Sequence, residues 1–153
     1  MIAKLRVGWT VGPRAHVASL WSRKDYTSIA PTALGDALAA LALRSDVRAK
    51  LLERTRRIVR DNWSIVERRL GEREELGFRA PDAGAIVWVR HRGPETSLAL
   101  AETMRSAHGV LVVPGEHFAL NGYVRLGFGL DPGDLEAALE RVVPLLGNAA
   151  HRT

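Results

Sequence analysis

Cysteine is absent from this sequence, which excludes both a disulfide framework and any thiolate metal site. Nothing argues for an oxidising compartment, so the cytoplasm is the expected location. Long apolar runs are missing as well. No stretch approaches the roughly 20 residues needed to cross a bilayer, and Met1-Ile2-Ala3-Lys4 leads into a strand pattern, not a signal peptide, so no membrane partner is expected. His16, His91, His108, His117 and His151 show no metal-ligand spacing, and no metal is expected. No G-x-S-x-G elbow surrounds Ser19, Ser22 or Ser28, which removes support for a serine hydrolase. Internal repeats and low-complexity segments are also lacking.

What is present suits one folded core. The 153 residues are 46% hydrophobic and 25% charged, ordinary values for a globular chain. A net charge of +5 raises the question of nucleic acid. Much of the basic charge falls between Arg44 and Arg73, where Asp46, Glu53, Asp61, Glu67 and Glu72 interrupt it. Such lacing marks a solvated helix face and makes a poor phosphate track, and no helix-turn-helix, zinc-finger or RNP signature accompanies it. No nucleic-acid partner is expected.

Along the chain, Leu5, Val7, Trp9 and Val11 alternate with Arg6, Gly8, Thr10 and Gly12, the period of a strand. Pro13 suits a helix's first turn, and His16, Val17, Leu20 and Trp21 continue at helical spacing to about Lys24. Lys24 to Pro31 reads as a loop, because the position before proline disfavours helix. Thr32 caps a helix with Leu34, Leu38 and Leu41 on its apolar face. Ser45 or Asp46 opens the longest periodic segment, with Val47, Leu51, Ile58, Val59, Trp63, Val66 and Leu70 on one side as far as Gly71. A strand over Gly84 to Arg90, a helix over Ser97 to Ala107, a strand over Val110 to Val113 and a last helix over Asp134 to Leu146, capped by Asp131-Pro132, complete the pattern. The expected class is α/β, with an α+β layer at the C-terminal end.

Gly109 to Leu130 carries the most information. Val110 to Val113 runs into Pro114-Gly115, and Tyr123, Arg125 and Gly127 then alternate against Val124, Leu126 and Phe128. If the latter three face a core, Arg125 points the other way, between an aromatic and an empty side chain. Its planar fork matches two carboxylate oxygens. The residues alone leave two possibilities: a carboxylate clamp, or a structural arginine paired to a helix acid. His117, in Pro114-Gly115-Glu116-His117-Phe118, is either a loop histidine over that site or simply exposed.

A short strand, then PG, then F, then a strand carrying V-R-L-x-F is similar to the closing motif of the class I/II, fold type I, pyridoxal phosphate aminotransferases. Leu5-Arg6-Val7-Gly8-Trp9 resembles the family's L-R-x-G-W strand, and Gly84-Ala85-Ile86-Val87-Trp88 its G-x-F/I-x-W strand. The resemblance implies that Arg125 holds the α-carboxylate of an amino acid substrate and that Arg6 binds the cofactor phosphate. It places the Lys24 to Pro31 loop near the active site of the other subunit of a homodimer, where Thr27 and Ser28 would reach that phosphate; a plain surface loop is the alternative.

The family's Schiff-base lysine lies about eight residues before the phosphate-binding arginine, and counting back from Arg6 runs off the chain. Lys4, two residues from Arg6, does not fit that role, so no catalytic residue is assigned and the chain is expected to be inactive alone. It reads as a C-terminal segment: 1–44 the end of the large cofactor-binding domain, 45–73 a linking helix, 74–147 a small domain and 148–153 a tail. Three readings follow: a partial aminotransferase, the same scaffold in another pyridoxal phosphate reaction, or a non-catalytic dimerisation module. The second is kept because Lys24 to Ala42 resembles capreomycidine-synthase-like members, which cyclise an arginine-derived amino acid.

Overall fold

The computed structural model describes residues 7–30 and 32–147. Arg6, Lys4 and the tail from 148 lie outside the described residues. The chain divides into two compact units, Met1–Arg56 and Arg57–Thr153.

In the first unit, α1 (Arg14–Lys24) starts where Val17 N–H reaches the Pro13 carbonyl at 3.0 Å, proline itself needing no donor at that position. It buries none of its residues. Helix α2 (Ala33–Leu43) is capped as expected: the Thr32 hydroxyl accepts from Gly35 N–H at 3.2 Å. Only Gly35 and Ala39 are buried on it, one turn apart, while Leu34 and Leu41 stay exposed. Val7 to Gly12, expected to form a strand, form none. A strand is made by its partner's hydrogen bonds, and the sheet that exists here contains none of these residues.

Helix α3 (Ser45–Gly71) contains the division between the units, and its 27 residues give it a length of about 40 Å. Beyond the division it buries Val66 and Leu70 and packs Val59 and Trp63 against the second unit's core, matching the apolar stripe read from the sequence.

The second unit is a four-stranded antiparallel sheet in the order β1-β2-β4-β3, with β1 at Gly77–Phe78, β2 at Ile86–Arg90, β3 at Val113–Pro114 and β4 at Tyr123–Gly127. Helices α4 (Ser97–His108) and α5 (Pro132–Gly147) complete it. Period-two alternation puts Val87, Val89, Val124 and Leu126 into the core, where Met104 of α4 and Leu135, Leu139, Val142 and Leu146 of α5 meet them. Each such side chain contributes about 1.5–3 kcal/mol by burial. The ring of Phe128, fully buried, closes the core against Trp63 at 5.7 Å between centroids.

Two strand boundaries differ from expectation. The run Val110 to Val113 pairs only at Val113, and the pairing continues into Pro114. Val110 N–H is already used by the Met104 carbonyl at 3.0 Å, closing α4 over Gly109 in the left-handed conformation (φ 66°). The two-residue strand Gly77–Phe78 is too short to show a period in sequence.

Candidate functional site

Arg125 sits at the middle of β4, in register with Trp88 on one side and Val113 on the other. Its neighbours Val124 and Leu126 are buried, so its side chain projects from the opposite face of the sheet. At Gly127 an added Cβ would meet nothing within 4 Å, so the space predicted around Arg125 on that side exists. Tyr123 is half-buried on the same face.

The guanidinium is held by an aromatic side chain. Its Cζ lies 5.3 Å from the centroid of Phe118, within cation–π range. Phe118 in turn meets Trp88 edge-on, with centroids 5.3 Å apart and planes at 78°. Among the described residues, Arg125 enters no ion pair and its guanidinium donates to no acceptor. A structural arginine tied to a helix acid would show such a partner. This fork is oriented by packing and left with its donors open.

Phe118 arrives there on a 3-10 turn, Gly115–Phe118, between β3 and β4. Leu120 N–H closes the turn on the Gly115 carbonyl at 2.9 Å, and Ala119 takes a left-handed conformation (φ 56°) to end it. Only glycine fits at 115: an added Cβ would lie 2.0 Å from the Leu120 carbonyl oxygen and 2.6 Å from that of Tyr123. Glu116 anchors the turn from behind, accepting from Ser97 N–H at 2.8 Å at the start of α4. Burial raises the pKa of Glu116, but the N–H dipoles of its own residue, Ser97 and Leu98 and the Ser97 hydroxyl outweigh that, so the carboxyl stays below its usual value. His117 is exposed on the same turn.

Behind Glu116, buried His91 shares a 2.9 Å hydrogen bond between Nε2 and the Ser97 hydroxyl. Burial lowers the His91 pKa, against the opposing pull of Glu116 and Glu95. A serine and a histidine this close invite comparison with a nucleophile and its base. Ser97 is fully buried, however, and His91 Nδ1 has no partner, so no acid orients the ring and no substrate reaches the hydroxyl. The pair is internal structure. Sequence reading missed this cluster, since nothing in residue spacing ties position 91 or 97 to 116.

An open cleft of about 540 Å³ adjoins the same sheet face, lined among others by Phe78, Arg79, Trp88, Arg90, Arg92 and Tyr123. In the first unit, Thr27 and Ser28 lie on the exposed turn after α1. Lys24 Nζ donates to Ser28 Oγ at 2.8 Å, and the Thr27 hydroxyl donates to the Lys24 carbonyl at 2.9 Å. The described residues contain no cluster of three or more metal-ligating side chains.

The family described as Aminotransferase class I and II matches residues 2–142. Capreomycidine synthase of Streptomyces vinaceus is 28% identical over 146 residues, which are 95% of this chain and 37% of that protein. Arginine–pyruvate transaminase AruH of Pseudomonas aeruginosa is 34% identical over 154 aligned residues, covering 94% of this chain and 38% of that one. Among solved structures, a PLP-dependent aminotransferase from Streptococcus suis superposes with a TM-score of 0.85 at 30% identity, over 93% of this chain and 37% of that one. Aspartate aminotransferase from Thermus thermophilus with maleate gives 0.83 at 25% identity, over 95% and 38%. The chain thus spans little more than a third of the length of the relatives it matches. It belongs to the class I and II aminotransferases, has the fold of the pyridoxal phosphate-dependent enzymes, and shares their cofactor by family.

Proposed function

We propose that this chain supplies the C-terminal part of a pyridoxal phosphate-dependent aminotransferase, in which Arg125 grips the α-carboxylate of the amino acid substrate. One observation carries the reading: an arginine at the centre of an interior strand, stacked on Phe118, with no acceptor for its guanidinium among the described residues. A fork fixed in orientation with its donors free is preorganised for a planar anion.

In this reading residues 1–44 end the large domain, 45–73, which include α3, form a linking helix, and 74–147 form the small domain. Pyridoxal phosphate supplies an electron sink for the amino acid's α-carbon. The donor set on the turn after α1, an ammonium and two hydroxyls, suits a phosphate, although the Thr27 hydroxyl is already engaged. Arg6 and, from the other subunit of a homodimer, Thr27 and Ser28 would hold the cofactor phosphate. Arg125 would bind and orient the substrate, and Phe118 would shield one guanidinium face from water.

The test uses the enzyme with its upstream region. Losing one partner of a desolvated bidentate pair costs about 2–5 kcal/mol, so Arg125→Lys should lower kcat/KM by about 30-fold or more with cofactor affinity nearly unchanged. Arg6→Lys should instead weaken cofactor retention. A kcat/KM for Arg125→Lys within about twofold of the parent would return Arg125 to a structural role. A second reading, cyclisation of an arginine-derived amino acid, is favoured by the likeness to a capreomycidine synthase, whereas the likeness to an arginine–pyruvate transaminase favours transamination. Product analysis separates them: a keto acid supports transamination and a cyclic amino acid the alternative.

A further inference from the structure

We propose that Glu116 is a positioning residue for Arg125, acting through the turn that carries Phe118; this rests on the reading of Arg125 as the carboxylate-binding residue. The two residues are linked by a short chain of contacts. The Glu116 carboxylate accepts from the first N–H of α4, and its second oxygen is buried without a close donor, so the residue is held by the end of a 12-residue helix and not by solvent. Glu116 also shapes its own turn, its carbonyl accepting from Ala119 N–H at 3.2 Å. Two residues further on, Phe118 meets both Trp88 and the Arg125 guanidinium.

The other end of the cluster braces the same turn. His91, bonded through Nε2 to Ser97, donates its backbone N–H to the Gly122 carbonyl at 3.1 Å, immediately before β4. The loop from Gly115 to Gly122 is therefore fixed at its start by Glu116, through Ser97 N–H, and at its end by the backbone N–H of His91, whose ring bonds the Ser97 hydroxyl. The ring of Phe118 is itself half exposed and has little packing to hold it. Without the carboxylate, the Ser97 N–H at the start of α4 loses its acceptor and the turn loses its anchor. The ring is then free to leave the guanidinium, which returns to several rotamers and must be ordered again each time a carboxylate binds.

The experiment uses the 153-residue chain and propionate as the probe, titrated while the Arg125 Nε–Hε resonance is followed by NMR. In the parent chain this resonance should carry a ring-current shift from Phe118 and move on propionate addition. Glu116→Ala should remove most of the ring-current shift and weaken propionate binding about fivefold, with Glu116→Gln, which keeps one acceptor for Ser97 N–H, restoring much of both. Phe118→Leu should weaken binding similarly, and the Glu116→Ala, Phe118→Leu double variant no more than either alone, because both act through one contact. Should Glu116→Ala not fold, the same cycle is run with Glu116→Met, which keeps the side-chain bulk and offers Ser97 N–H no carboxylate. Unchanged shift and affinity with a lowered melting temperature would make Glu116 a structural cap only and overturn the proposal, as would losses that multiply in the double variant. Propionate binding that survives Arg125→Lys would instead defeat the carboxylate assignment of Arg125 itself.

Discussion

Asn62 is fully buried on α3 and is kept there for its donors. Its Nδ2 donates to the Phe128 carbonyl at 2.6 Å and to the Leu130 carbonyl at 3.0 Å, while its Oδ1 has no partner. Two backbone acceptors at the exit of β4 thus depend on one side chain, because the sheet ends at Gly127 and α5 begins only at Pro132. Asn62→Ala removes two neutral hydrogen bonds, worth about 0.5–1.5 kcal/mol each, and strands the carbonyl of buried Phe128 at about 1–3 kcal/mol. Allowing for overlap between these terms, the expected loss is about 2–4 kcal/mol. The assay is urea unfolding followed by tryptophan fluorescence in a background with Trp9 and Trp21 changed to Phe, so that the signal comes from Trp63, which packs on Phe128, and Trp88, both in the second unit. The midpoint should fall by about 1 M or more with the slope unchanged. Asn62→Asp should be at least as damaging, because a carboxylate cannot donate and would be buried without a partner. A loss under about 0.5 kcal/mol for Asn62→Ala would mean that the two carbonyls are satisfied another way, and the account of this joint would be wrong.

Three more perturbations have defined outcomes. Gly115→Ala drives a methyl group into two backbone carbonyls that cannot swing aside, so it should cost about 2 kcal/mol or more, and wild-type thermal stability would refute the contact. His91 has a folded-state pKa below its ordinary 6.5, so the unfolded chain binds more protons just below that pH; stability should be complete above it and fall as pH drops through the folded value. Melting curves between about pH 7.5 and 5 should show that fall in the parent chain and not in His91→Gln, and equal slopes would acquit the histidine. Trp21 and Leu34, 68% and 71% exposed, leave the first unit with uncovered apolar surface, so sedimentation should show concentration-dependent association that Trp21→Glu and Leu34→Glu reduce. A clean monomer of the parent chain at high concentration would contradict this.

Where the sequence was legible, a strict period made it so. The alternation from Tyr123 to Phe128 placed Arg125 opposite the core, and the long apolar stripe gave α3 both its length and its buried side. The same rule misled at Val7 to Gly12, since alternation specifies which faces a strand would have but not whether a neighbour is there to pair with it. It misled again at Val110, whose N–H was committed to closing α4 and so could not enter a ladder. The site's setting was illegible for another reason. Phe118 stood in the recognised motif, yet its ring over Arg125 and its edge contact with Trp88 depend on the turn's three-dimensional path. Glu116 and Ser97 lie 19 residues apart, and side-chain to backbone bonds of that range leave no periodic trace.

The strand order separates the two parts of the Arg125 site by how readily each opens. Strand β4 is hydrogen-bonded on both sides, with Arg125 opposite Trp88 and Val113, so its backbone should exchange amide hydrogen only when the whole sheet comes apart. Phe118 rides on a 3-10 turn outside the ladder, whose amides can open locally at far smaller free energy. The strand that carries Arg125 therefore stays fixed while the ring beside it can lift and settle, so that a ligand can enter past the ring without any part of the sheet unfolding, and the fork is ordered again when the ring returns.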